Sequence, residues 1–219
     1  MKSYSTEGQD SILVKILNCM RNGRYLDVGA YQPILDSNTY ALYQKEWSGV
    51  AIDPNPGLSE LWKRTRKRDK FLNAAYSVEN GPVEYHQHPD LSTLNSVVVT
   101  PTRSKGFEVT VEQIKTILVP TISYEQLLSH QPFDLMCLDT EGGELEILKN
   151  VLAFLNRPKC ICVETKNLNL SRPLDHPIFA FLNDANYAAI AKTLHDTIFV
   201  DRESFLSEKF PKEMLEFKG

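Results

Sequence analysis

No apolar run in the sequence is long enough to cross a bilayer. The best early stretch, Ile12 to Met20, is interrupted by Lys15 and Asn18 and falls far short of the roughly 20 residues a spanning helix needs. The opening MKSYSTEGQD lacks a basic segment leading into an apolar core and a small-residue cleavage site, so no secretory leader is expected. Cysteine is scarce, four in 219 residues, and no C-x-x-C occurs; Cys160 and Cys162 stand as C-x-C without a histidine cluster. That spacing argues against zinc. The apolar settings of Cys137, Cys160 and Cys162 fit reduced core thiols and a cytoplasmic location. Neither sign of charge dominates, with 24 basic against 28 acidic groups. The first 110 residues carry +1 and the remainder −5, and the basic surplus of the first part comes from one octapeptide, Lys63 to Lys70. What is left, 42% hydrophobic residues with 10 Gly and 12 Pro, excludes collagen-like, disordered and disulfide-scaffold classes. The length fits a single domain, 1–219, since domains hold roughly 100 to 200 residues.

Short β-type runs alternate with helical stretches and nothing repeats, the pattern of an α/β sheet. Helices are expected at Gln9–Met20, Thr39–Lys45, Gly57–Arg68, Ser123–Ser129, Gly143–Asn156, Pro177–Asn186 and near Ser207–Phe217. Strands are expected at Arg24–Val28, Gly49–Asp53, Phe71–Ser77, Ile117–Val119, Phe133–Asp139, Lys159–Glu164, Tyr187–Lys192 and Thr197–Asp201. Residues 79–119 read as a long loop with a turn at Asn80-Gly81, the kind of insertion that covers a substrate.

Three strands close on a carboxylate: Asp27 in YLDVGA, Asp53 in VAIDPNP and Asp139 in DLMCLDTEG. Ligands of open α/β sheets bind outside the carboxyl ends of the strands, so the three acids would line one crevice. A single strand-end Asp is as readily a helix cap or a turn residue; the three together, with Gly29 directly after the first strand, favour a ligand. The first turn lacks the G-x-G-x-x-G that seats a pyrophosphate, which disfavours a dinucleotide. An acid ending the second strand suits a ribose diol, because a carboxylate accepts from both hydroxyls. A nucleoside ligand without a diphosphate satisfies both, S-adenosylmethionine (SAM) foremost.

The residues Tyr4-Ser5-x-Glu7-Gly8-Gln9-Asp10, Tyr25-Leu26-Asp27-Val28-Gly29-Ala30-Tyr31-x-Pro33, Ser37-Asn38-Thr39-Tyr40, Trp47-x-Gly49, Ile52-Asp53-Pro54-Asn55-Pro56, Asn73-Ala74-Ala75 and Asp139-Thr140-Glu141-Gly142 occur in this order. The set resembles the FkbM-type SAM-dependent methyltransferases over roughly residues 4 to 165. The resemblance implies a class I, Rossmann-like, three-layer α/β sandwich with a seven-stranded, mostly parallel sheet and a reversed last strand. It implies that Asp27 and Gly29 lie beside the methionine part of SAM and that Asn38 contacts the cofactor or orders the site. Asp53 would hold the ribose, Pro54 and Asn55 would flank the adenosine, and Asn73 and Ala74 would edge the adenine. Asp139 would face the SAM amino group or the reaction centre. Tyr31 departs from the asparagine the family often carries there.

Methyl transfer is an in-line displacement, and a hydroxyl acceptor must also lose its proton. The catalytic candidates are Asp139, Glu141 and Glu164, acting as base or holding a divalent cation, Mg²⁺ by its preference for hard oxygen ligands; His195 is a further base within reach. Glu144 and Glu146 read as a solvated helix face, and His86 and His88 as surface residues of a strand. The octapeptide Lys63–Lys70 reads as a solvated helix, with a weak peripheral attraction to anionic lipid or a phosphorylated glycan precursor. Without it the first half holds 7 basic against 11 acidic groups, leaving no extended footprint for nucleic acid. The expectation is an O-methyltransferase, and the resemblance, rather than anything in the spacing, points to a hydroxyl of a sugar, a glycan or a small natural product as acceptor. An N-methyltransferase and a non-catalytic nucleoside-binding module stand as rivals.

Overall fold

The computed structural model describes residues 2–18, 20–78, 81–87, 103–104, 107–108, 115–128 and 132–206. Seven strands, Arg24–Val28 (β1), Ser48–Ile52 (β2), Lys70–Leu72 (β3), Leu135–Leu138 (β4), Cys160–Glu164 (β5), Tyr187–Lys192 (β6) and Asp196–Asp201 (β7), form one sheet in the order β3-β2-β1-β4-β5-β7-β6. The ladders from β3 through β5 are parallel, while β7 runs antiparallel to both β5 and β6. The reversed strand expected at the end of the chain is therefore β7. Strands such as LMCL and CICVE are apolar on both faces because both faces are covered.

Period-two alternation divides the core. Leu26, Val28, Val50, Ile52, Met136, Leu138, Ile161 and Val163 face one way and pack with Tyr124–Leu128 (α4), Glu144–Leu152 (α5) and Pro177–Asp184 (α6) through Tyr124, Leu127, Ile147, Leu148, Val151, Ile178 and Leu182. Tyr25, Leu135, Cys137, Cys160, Cys162, Ile198 and Val200 face the other way, onto Gln9–Ile16 (α1) and Tyr40–Tyr43 (α2). Ala51 shares that second face and meets Trp62 of Ser59–Thr65 (α3). Helices thus cover both faces, the three-layer arrangement of an α/β fold.

Several local expectations change. The first helix ends at Ile16, not Met20. The run Phe71–Ser77 is not one strand. The Asn73 amide donates to the Asp53 carbonyl at 2.9 Å and turns the chain off the sheet, after which Ala75–Tyr76 pairs in parallel with Thr121–Ile122. The helix expected over Gly57–Arg68 is a short turn of 3₁₀ helix, Pro56–Leu58, followed by α3; Arg66 leaves helical geometry at φ −121°, ψ 70° and turns inward. Arg66 is buried, so the octapeptide is not uniformly solvated. His86 is likewise buried, within Val83–Gln87 opposite Lys115–Val119, its Nδ1 3.0 Å from Thr116 Oγ1. Asn80, His88 and the helix expected near Ser207–Phe217 lie outside the described residues. Among the described residues no helix is long and apolar enough to cross a membrane.

Candidate active site

The site grows from three adjacent strand ends. Val28 is in register with Ile52 on one side and Leu138 on the other, so the residues that follow β1, β2 and β4 meet in one crevice. After β1 the amides of Gly29 and Ala30 both donate to the Ile52 carbonyl, at 3.0 and 3.1 Å. Gly29 has φ +79°, and a Cβ there would fall 1.6 Å from the Asp139 carbonyl oxygen. Only glycine permits that approach.

Asp53 follows β2, and each of its carboxylate oxygens is held by a backbone amide: Tyr31 N–H donates to Oδ2 at 2.9 Å and Asn55 N–H to Oδ1 at 2.8 Å. A carboxylate has about four acceptor positions, so capacity remains for a ligand diol. Asp27, within β1, accepts the Thr39 hydroxyl at Oδ2, 2.6 Å away. Burial pushes both carboxyls up to about 6, against the Thr39 hydrogen bond at Asp27 and the Asn55 and Tyr31 amides at Asp53.

Beyond β4 the chain turns through Asp139-Thr140-Glu141-Gly142. Glu144, expected on a solvated face, is instead buried at the start of α5 and reaches back. Its Oε1 accepts from Thr140 N–H at 2.8 Å, Thr140 Oγ1 at 2.9 Å and Gly142 N–H at 3.1 Å, which fixes the turn. Glu141 sits at φ +58°. The ammonium of Lys166 lies 2.5 Å from Glu141 Oε2 and 2.9 Å from Glu164 Oε1. Asp139, Glu141 and Glu164 bring one oxygen each within 4.8 Å of one another. Burial lifts Glu164 to about 7; Lys166 opposes that rise and Glu141 adds to it. The Asp139 side chain is reachable from the crevice, yet the protein packed around its carboxyl and the nearby Glu164 and Glu141 raise it well above the usual carboxylate range. A divalent cation does not fit this triad as it stands, because the chain's own ammonium already engages two of the three acids.

His195, at the turn between β6 and β7, gives its backbone N–H to Glu7 Oε2 at 2.9 Å and its Nδ1 bonds Glu7 Oε1. Thr165 N–H donates to the His195 carbonyl at 2.8 Å, which sets this histidine beside Glu164 and Lys166.

These groups share a cavity of about 580 Å³, within the roughly 300–1,000 Å³ of small-molecule sites. Asp27, Gly29, Asn38, Asp53, Pro54, Ala74, Asp139, Glu141 and Glu164 all line it. Asn55 and Asn73 are not among the lining residues; both brace Asp53, and Asn55 also accepts from Gly57 N–H at 3.0 Å. Sequence reasoning missed Thr39, Arg66, Lys166 and Glu7. Lys166 lies two residues beyond Glu164, a spacing that on a strand's continuation returns to the same side, and this was the available signal. The other three contacts join residues 12 to 188 positions apart.

The residues fit SAM: buried carboxylates with free acceptor positions, apolar walls from Ile52, Pro54 and Ala74, and a first turn that carries no side chain at Gly29. The strand order, the reversed β7 and the acids at the ends of β1, β2 and β4 define a class I SAM-dependent methyltransferase. More specifically, residues 27–189 match the model of the Methyltransferase FkbM domain, and the chain belongs to that family. Among solved structures it is similar to a TehB-like SAM-dependent methyltransferase from Corynebacterium glutamicum, with 11% identity, TM-score 0.48, and 90% of this chain and 89% of that one covered. It is also similar to a precorrin-6y C5,15-methyltransferase from Geobacter metallireducens, with 13% identity, TM-score 0.42, and 91% and 90% covered. No curated protein matches.

Proposed function

We propose that the protein is an O-methyltransferase whose acceptor is a hydroxyl of a sugar, a glycan or a small natural product. The observation that carries this reading is the division of one cavity into two ends. Asp27 and Asp53 stand at the end formed by β1 and β2, and Asp139, Glu141, Glu164 and Lys166 at the end formed by β4 and β5. A cluster of carboxyl groups with one ammonium among them offers acceptors and a donor to a ligand rich in hydroxyls. Bound SAM supplies a methyl group activated by its sulfonium. Asp53 takes the ribose hydroxyls, Asp27 faces the methionine part, and Asn55 and Asn73 act through Asp53. At the other end Glu141 and Lys166 orient the acceptor, and Glu164, raised to about 7 by burial, receives the hydroxyl proton as the oxygen–carbon bond forms. A base that titrates near the working pH combines readiness with proton-transfer driving force.

In this proposal residues 1–219 act as one catalytic domain, and the 79–119 segment serves as its acceptor cover. Tyr76, Ser77, Val78 and Tyr85, at the foot of that segment, line the cavity, and Tyr85 packs with Ala75 and Val119. The buried free thiols of Cys137, Cys160 and Cys162 support a reducing, cytoplasmic setting. Incubation with methyl-labelled SAM and a panel of monosaccharides, oligosaccharides and hydroxylated small molecules tests the proposal. Label on a hydroxyl oxygen is expected; label on an amine and on no hydroxyl would make the protein an N-methyltransferase.

A further inference from the structure

Arg66 is buried at 1% exposure, and all five of its N–H donors are engaged. Nε donates to Asp69 Oδ2 at 2.7 Å, Nη1 to the Pro33 carbonyl at 3.2 Å and Ser37 Oγ at 3.3 Å, and Nη2 to Tyr25 Oη at 2.5 Å and Thr39 Oγ1 at 3.0 Å. Asp69 in turn accepts from the Tyr25 hydroxyl and from Gly49 N–H at 2.9 Å. The guanidinium also stacks over Trp62, 4.6 Å from the ring centre. The arrangement ties the end of α3 to β1, β2 and the Ser37–Thr39 turn. It has one outlet toward the cavity. Thr39 accepts from Arg66 through its oxygen, so its own proton is directed to Asp27 Oδ2 at 2.6 Å. Among the described residues no protein donor takes Asp27 Oδ1, and Asp27 lines the cavity.

We propose that Arg66 and Thr39 are positioning residues for the cofactor: Arg66 orients the Thr39 hydroxyl, and Thr39 holds the Asp27 carboxylate ionised and aimed at the methionine part of SAM. This rests on the SAM reading above. A donor polarised by a neighbouring cation strengthens its bond to a carboxylate, which offsets the cost of holding Asp27 charged in a buried strand. The other titratable groups facing Asp27 are Asp69 from the segment after α3, Asp53 after β2, Cys137 of β4 and Cys162 of β5. The two acids disfavour a charge on Asp27, and the thiols stay neutral: the bond to Cys162 and burial raise Cys137, and at Cys162 the bond to Cys137 lowers the thiol but burial and the nearby acids outweigh it. Arg66 and Thr39 are therefore the groups that favour the ionised form.

The test uses Thr39→Val, which keeps shape and removes the hydroxyl, with Thr39→Ser as the restoring variant and Arg66→Lys as a third arm. Two quantities are read: the Asp27 titration midpoint by carboxyl carbon-13 NMR without ligand, and calorimetric affinity for S-adenosylhomocysteine. In the wild type the midpoint is expected near 6. In Thr39→Val it moves up by about one unit and affinity falls roughly tenfold, while Thr39→Ser restores both. Thr39→Val that stays folded with an unmoved midpoint and affinity within about twofold, or Thr39→Ser that fails to restore them, overturns the relay. If Arg66→Lys fails to fold, the threonine pair decides alone. Folded wild type that binds no S-adenosylhomocysteine overturns the SAM reading and this use of the relay with it; wild-type binding with an unmoved Asp27 in Thr39→Val overturns the relay only.

Discussion

Gly29 runs so close to Asp139 that a methyl group on its α-carbon would stand 1.6 Å from the Asp139 carbonyl oxygen. The turn after β1 and the turn after β4 therefore form one wall, and the crevice depends on a missing side chain.

Gly29→Ala should be among the most damaging single changes in the chain. The left-handed φ of +79° alone costs a non-glycine residue about 1–2 kcal/mol. Backbone collision adds to this, since the neighbour is a carbonyl rather than the end of a flexible side chain. Denaturant unfolding should show a loss of at least about 2 kcal/mol, and calorimetry a loss of SAM binding in whatever fraction stays folded. Wild-type stability in Gly29→Ala would mean the two turns can move apart freely.

The pH dependence has a definite sign. Burial raises Asp27 and Asp53 from 3.8 to about 6, so between those values the folded protein holds more protons than the unfolded one. Their contribution to stability is full below about pH 3.8 and is lost as pH rises through about 6. SAM, bearing an ammonium, favours the ionised carboxylates, so its binding near pH 5.5 to 6 should release protons. Calorimetry in two buffers of different ionisation enthalpy measures this directly. Proton uptake would reverse the assignment of these acids.

Lys166 makes the acidic end self-neutralising. Its ammonium contacts both Glu141 and Glu164, so methyl transfer should proceed at an unchanged rate with EDTA present. Lys166→Met should gain Mg²⁺ binding at Asp139, Glu141 and Glu164 and shift the acidic limb of the pH–rate profile upward as the carboxylates lose their counter-charge. Loss of wild-type activity in EDTA would show that a metal displaces the lysine.

Sequence legibility followed the range of the interactions. Strands β1, β2, β4, β5 and β7 are recognisable because burial on both faces leaves apolar runs such as LMCL and CICVE. The three acids were recognisable because a strand end is a local event. The break at Asn73 was hidden, since the bond that makes it joins Asn73 to Asp53 twenty positions earlier. Arg66 was hidden by its company: amid Lys63, Arg64, Lys67 and Arg68 a buried arginine has the same local pattern as exposed ones. Only the partners at Tyr25, Thr39 and Asp69 distinguish it. Glu144 looked solvated because it belongs to an acidic stretch, yet its turn needs an acceptor for the Thr140 and Gly142 amides.

Asp53 ties the cofactor reading to a single side chain, because the Tyr31 and Asn55 amides orient its carboxylate into the cavity. Titration of SAM into the wild-type protein and Asp53→Ala by calorimetry is the most direct test. Stoichiometric binding by the wild type, weakened roughly 10- to 100-fold in a folded Asp53→Ala as a charged hydrogen-bonding partner is lost, is the predicted result. Folded wild-type protein that takes up no SAM, or Asp53→Ala that binds it equally well, would contradict it.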